Sequence, residues 1–251
     1  LQGLVDGGRD TTTRYGGTLD YLINLDLMRM GVMDGALVKF RAESRYGHSV
    51  NAAAGTLIPV NTDALFPLTN QLDDDTPFTI TDLNYTQFLS KKLAIMLGKI
   101  DTLDGDPNEF ASGRGTGQFM NANFIFNPVL ALRLPYSTLA VGVVWLPVQE
   151  KDCGISIINV VMNTGDSSTT TGFSDFGEGT SWNIEADFHY RFPGGQLPGG
   201  QNVGFLYSFD QDFTQFTGEL VFIPGEGIVI PTQGDTWAVY WSGWQYLWVR
   251  D

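Results

Sequence analysis

From Ser181 to Phe192 apolar and polar residues alternate without a break. Trp182, Ile184, Ala186, Phe188, Tyr190 and Phe192 fall on one side, and Ser181, Asn183, Glu185, Asp187, His189 and Arg191 on the other. A period of two over this length predicts a strand with one greasy face and one ionised face. At about 3.3 Å per residue and a tilt of about 40°, roughly eleven residues climb about 25 to 28 Å, the height of the apolar band of an outer-membrane barrel. Trp182 near one end, and Tyr190 and Phe192 near the other, stand where amphipathic rings sit at the two headgroup levels. A half-buried strand of a soluble sandwich fits this one segment equally well.

The pattern recurs along the chain. A first strand starts at Thr18, with Leu19, Tyr21, Ile23, Leu25 and Leu27 opposed to Thr18, Asp20, Leu22, Asn24 and Asp26. A second runs from Ala36 to about Tyr46, where Lys39, Arg41, Glu43 and Arg45 share a face that needs water beside it. A third is centred on Thr79 to Leu89, and a turn at Ser90 to Lys92 leads into a fourth, Leu93 to Asp101, whose alternation is blurred until Lys99 and Asp101. Ser137 to Leu146 pairs with Gly154 to Asn163, and Gln201 to Asp212 follows the opening strand. Residues 1–16 are polar and Gly-rich and read as a leader.

Connections alternate between short and long. Gly31 to Gly35 and Ser90 to Lys92 are short; Ser49 to Thr76, with Pro59, Pro67 and the acidic run Asp73 to Asp75, and Thr102 to Asn127 are long. A later loop, Thr164 to Gly179, carries three adjacent threonines. Up-and-down membrane barrels have tight turns at one rim and long loops at the other, whereas sandwiches cross over in Greek keys. The last segment, Thr236 to Val249, sets Trp237, Trp241, Trp244 and Trp248 at helical spacing, but Val239, Tyr240, Gly243 and Tyr246 are poor helix formers, which favours a strand.

Composition narrows the class. The 251 residues are 17% charged and 13% aromatic with 30 glycines, which suits short strands and tight turns, and no apolar run reaches the length of a membrane helix. A single cysteine, Cys153, excludes an internal disulfide and a multi-thiolate metal site. Net charge of -14 makes nucleic acid a poor partner. Nothing in the chain calls for a cofactor.

Five phrases, in this order, resemble the carbohydrate-selective outer-membrane porins of the OprB family: Gly98 to Ala111 (GKIDTLDGDPNEFA), Phe119 to Asn127 (FMNANFIFN), Trp182 to Tyr190 (WNIEADFHY), Leu197 to Asp212 (LPGGQNVGFLYSFDQD) and Asp235 to Leu247 (DTWAVYWSGWQYL). The likeness runs from about Gly17 onward. It implies a closed transmembrane antiparallel up-and-down β-barrel, usually of 16 strands, in the bacterial outer membrane, through which sugars and other small solutes diffuse. The expected partners are outer-membrane lipid and small carbohydrates, and the expected activity is not enzymatic. This sequence shows about nine candidate strands, an odd number for a bacterial barrel, so residues 17–251 are expected to be a barrel domain incomplete at its C-terminal end.

Sidedness then names the candidate residues. With apolar faces against lipid, Lys39, Arg41, Glu43, Arg45, Lys99, Asp101, Glu185, Asp187, His189 and Arg191 line the water and can contact solute, while Trp182, Phe188, Tyr190 and Phe192 form a lipid-facing girdle. Asp101, Asp104, Asp106, Asn108 and Glu109 crowd hard oxygens into one loop, a weak candidate for calcium whose spacing does not match an EF-hand. Two readings stay open beside the porin. Glu185 and Asp187, about 6.5 to 7 Å apart on one face, could serve a sugar hydrolase on a β scaffold. A soluble carbohydrate-binding sandwich could use the 236–248 aromatics to stack on sugars.

Overall fold

The computed structural model describes residues 1–56, 58–67, 76–104, 108–110, 113–117, 119–125, 127–131, 133–165, 176–192, 197–214, 221–223 and 227–248. The acidic run Asp73 to Asp75, Asp106, the adjacent threonines of the 164–179 loop and the start of the turn after Phe192 lie outside them.

Nine antiparallel strands form one sheet, each hydrogen-bonded to its neighbours in sequence. In chain order they are β1 Gly16–Asp26, β2 Ala36–Gly47, β3 Thr76–Ser90, β4 Leu93–Asp101, β5 Ser137–Gln149, β6 Cys153–Asn163, β7 Thr180–Arg191, β8 Pro198–Phe209 and β9 Thr236–Gln245. The order is a pure meander. Tight connections (β1–β2, β3–β4, β5–β6, β7–β8) lie at one rim and long ones at the other, as the alternating lengths predict. The remaining helical elements are turns of three or four residues.

Register fixes the two faces, because residues directly opposite across a ladder share a side. Tyr21 pairs with Ala42, Phe40 with Leu83, Tyr85 with Leu97, and Leu97 with Val141. Val161 pairs with Trp182, which pairs with Tyr207, which pairs with Trp237. These residues make one apolar outer face; its small Ala42 is covered by neighbouring side chains, but its large side chains stay bare, Trp182 at 37% exposed, Trp237 at 65% and, two residues on, Trp241 at 68%. A sandwich would bury this face against a second sheet. An apolar surface this continuous marks contact with a nonaqueous phase or a partner.

Asp20 and Glu43, Arg41 and Asp82, and Asp187 and Asn202 pair across the other, inner face. The strand reading of 236–248 holds, with a difference. Trp237 and Trp241 point outward, but Trp244 stands opposite Gly200 on the inner side, and Trp248 lies past the strand.

The inner face is ionic only in part. Leu134, Val160, Met162 and Leu206 form a buried cluster with Met96, Ile100, Leu130 and Ile158 packed against it. Leu130 and Leu134 come from the long β4–β5 connection, so this connection folds inward over the sheet. Residues 1–16 also differ from a plain leader: Gln2–Leu4 pairs with Thr12–Arg14 as a small hairpin, and the Arg9 amide donates to Ala53 O at 2.8 Å.

Candidate functional site

Alternation along β2 sets Lys39, Arg41, Glu43 and Arg45 on the inner face, and each meets a group folded onto it. The Lys39 ammonium lies 2.7 Å from Asp82 and 3.2 Å from Asp104. The Arg41 guanidinium lies 2.5 Å from Asp104 and 3.0 Å from Asp101. Arg45 donates to the carbonyls of Leu65 at 2.8 Å and Pro67 at 3.2 Å, in the β2–β3 connection. Glu43 and Arg45 are 0% and 4% exposed, so the loops cover two residues that the alternation alone would leave in water.

Arg114 sits at the centre of this arrangement. Gly113, Arg114 and Gly115 all take positive φ (77°, 55° and 87°). Two of the three are free of the Cβ clash, whereas Arg114 bears a left-handed cost of about 1–2 kcal/mol. That turn aims the guanidinium back at the wall, 2.5 Å from Glu43 and 2.9 Å from Asp101. Its carbon also lies 4.2 Å from the centre of the Phe66 ring and 5.3 Å from that of Tyr136. The Tyr136 hydroxyl accepts from Arg114 at 2.5 Å and donates to Glu43. Burial works against the Arg114 charge, but Asp101 first, then Tyr136, Glu43 and Asp104, more than offset it and hold its pKa above the ordinary arginine value.

The two long connections are joined around this point. Thr62 donates to Met120 O through its amide (2.7 Å) and its hydroxyl (2.8 Å), and the Ala122 amide donates to Pro59 O at 3.0 Å. A Cβ at Gly115 would lie 2.9 Å from the Asp63 nitrogen, which explains a glycine where the loops touch.

On the far wall, Glu185, Asp187 and His189 are carried inward by β7. Asp187 accepts from Asn202 at 2.6 Å and Ser156 at 3.3 Å. Glu185 accepts from the Tyr240 hydroxyl at 2.6 Å. That bond spans two strands because the residue between them is Gly204, where a Cβ would come within 2.0 Å of the Tyr240 ring. Trp244 lies over Gly200 in the same way, its ring 6.4 Å from His189. The β4–β5 connection reaches this wall too. Asn108 donates to Ser242 at 3.4 Å, the Tyr246 hydroxyl donates to Glu109 at 3.0 Å, and the Phe110 ring lies 5.0 Å from that of Tyr246.

Between wall and loop lies a cavity of about 230 Å³, room for seven or eight waters at about 30 Å³ each. Its polar lining includes Lys39, Asp82, Asp101, Asp104, Glu185 and Tyr240, and its floor is the apolar cluster. The structure thus brings Lys39, Asp101 and Glu185 around one space. The other seven predicted residues, Arg41, Glu43, Arg45, Lys99, Asp187, His189 and Arg191, do not line it: the first three are held under the loops, and Asp187 and His189 lie on the wall of β7 beside it. Lys99 pairs with Leu83 and Leu139 in the ladder and is buried (7% exposed). Arg191 pairs with Asp152 at 3.4 Å at the short-turn rim. Trp182, Phe188 and Tyr190 stand on the outer side, and Phe192, one residue past the strand and half exposed, meets Tyr190 edge to face at 5.7 Å. The candidate calcium ligands diverge: Asp101 and Asp104 face cations of the wall, Asn108 and Glu109 bind β9 and Tyr246, and Asp106 is outside the described residues.

The family model for the carbohydrate-selective porin, OprB family, matches residues 10–248. This chain belongs to the OprB family. A high-pH structure of Pseudomonas putida OprB matches it with a TM-score of 0.71 at 17% identity, covering 98% of this chain and 58% of that one. At that identity the likeness shows the OprB fold, and the chain spans 58% of the length of that relative. A search of curated proteins finds no match. Arg114, Phe66 and Tyr136 were not singled out by sequence patterning, because they lie in or beside irregular loops. The one local signal is the Gly-Arg-Gly triplet.

Proposed function

We propose that this OprB-family chain contributes the wall of a water-filled outer-membrane channel through which sugars and other small hydrophilic solutes diffuse passively. Residues 17–251 are the barrel domain in this reading, with the rings of Trp182, Phe188, Tyr190 and Phe192 against lipid. The observation that carries it is the two-faced sheet: large apolar side chains bare on one side, and ionic groups around a cavity on the other. A lipid phase makes the first face favourable, and water makes the second so.

Within the path, Lys39, Asp104, Glu185, Asn202 and Tyr240 offer donors and acceptors to hydroxyls, and the Met96 and Ile100 side supports the C–H face of a sugar ring. Weak contacts of this kind replace hydration without trapping the solute. Family membership favours a channel over a catalyst, and the neutral donors held by Glu185 and Asp187 suit a wall role.

Liposome swelling with the full-length protein tests the proposal. Isotonic monosaccharide should cause faster swelling than larger oligosaccharides. Vesicles that contain folded protein and do not swell in any sugar would end the channel reading, as would recovery of the folded protein in the aqueous fraction without detergent.

A further inference from the structure

We infer that Arg114 is a positioning residue that sets the calibre of the solute path by pinning the β2–β3 and β4–β5 connections to the inner wall as one unit. The inference rests on the channel reading above and adds to it the residue on which the loops depend.

Three observations carry it. Arg114 contacts four separate pieces of chain: Glu43 on β2, Asp101 at the end of β4, Phe66 in one long connection and Tyr136 at the close of the other. It does so from a left-handed backbone conformation, which a non-glycine residue keeps only where its surroundings hold it. It also brings a cation to within 2.5 Å of Glu43, a buried carboxylate on the wall itself. Removal of the guanidinium leaves the buried carboxylates Glu43 and Asp101 with less opposing charge, an imbalance that a lifted loop relieves by exposing them to solvent.

Asp104, Leu130 and Leu134 ride on the same connection and line the cavity, so a lifted loop widens the passage. The second attachment, Asn108 and Glu109 on Ser242 and Tyr246, is made by exposed or half-exposed groups and is the weaker of the two. A planar fork stacked on two rings is a geometry that lysine does not reproduce, so Arg114→Lys should release the loop in part although it keeps the charge.

The test compares full-length wild type with Arg114→Gln and Arg114→Lys in planar bilayers and in liposome swelling. Heat-modifiable migration on SDS gels reports whether the barrel has folded. The inference expects higher single-channel conductance and a gain of swelling in sugars too large for wild type, stronger in Arg114→Gln than in Arg114→Lys. Changed ion selectivity at an unchanged size limit would overturn it, because that is the effect of a wall charge rather than of a pin. If Arg114→Gln fails to fold, Arg114→Lys carries the comparison on the same criteria. If wild type itself does not conduct, the channel reading falls, and limited proteolysis of residues 102–136 still decides the pin. Faster cleavage in the variants supports it; equal cleavage overturns it.

Discussion

Gly204→Ala is a change of one methyl group with a consequence on another strand. The added Cβ would lie 2.0 Å from Tyr240 Cζ and 2.2 Å from its hydroxyl oxygen, inside any permitted contact. β8 cannot move aside, being paired to β7 and β9 along its length. The ring must therefore rotate off Gly204, and its hydroxyl loses Glu185 (2.6 Å) and Asn183 (3.1 Å). A hydrogen bond to a charged group contributes about 1.5–3 kcal/mol, so the variant should lose about that much. Equilibrium folding of the full-length protein into vesicles from urea measures it. Tyr240→Phe deletes the same hydroxyl, and the double variant should cost little more than either single one, since both act through one bond. Additive losses, or a Gly204→Ala protein as stable as wild type, would refute the argument.

Other consequences follow from the same geometry. Among the described residues the carboxylates Glu43, Asp82, Asp101, Asp104 and Glu185 face the cations Lys39, Arg41 and Arg114, an excess of negative charge to which Glu185, bonded to the neutral Tyr240 hydroxyl, contributes, so the channel should prefer cations; Glu185→Gln should lower that preference in reversal potentials under a KCl gradient, and an unchanged ratio would contradict it. Burial first, then the Asp101 carboxylate, holds the Tyr136 phenol well above its ordinary value. A raised folded-state pKa means the linked stability is fully present below about pH 10 and falls as pH rises beyond it; the urea midpoint should decline there, and decline less in Tyr136→Phe. Val239 is bare on the outer face of β9, and Val239→Arg should destabilise the folded state in vesicles by about 2–4 kcal/mol if it meets the bilayer interior. Ser242→Arg, on the inner face of the same strand, should cost less.

Strands were legible because a half-apolar sheet writes its period into the sequence. β4 is found at Leu93–Asp101, the limits that its flanking residues predict, even with both of its faces largely apolar. Parity is disturbed near its end, where Gly98 takes a φ of 131° and Asp101, which shares its register side with Leu97, reaches the inner cluster. What the period cannot carry is the course of a long loop. Glu43 and Arg45 look like water-facing residues on a two-residue repeat, and only the fold of residues 49–67 and 102–136 explains their burial. Likewise the apolar inner patch at Val160 and Met162 reads as a second greasy face until Leu130 and Leu134 are laid on it. The tryptophan spacing in β9 suggested one stripe, whereas a pleated strand sends Trp241 and Trp244 to opposite sides.

Sidedness of β7 is the point to measure. In a full-length Cys153→Ser background reconstituted in bilayers, single cysteines replace Asn183 through Phe188 in turn, and each is exposed to a water-soluble maleimide and to a lipid-partitioning thiol probe. Cysteines at 183, 185 and 187 should react with the aqueous reagent, and those at 184, 186 and 188 with the lipid-phase probe. Aqueous labelling of both sets, or protection of 184, 186 and 188 from both reagents, would contradict a sheet with lipid on one side and a solute path on the other.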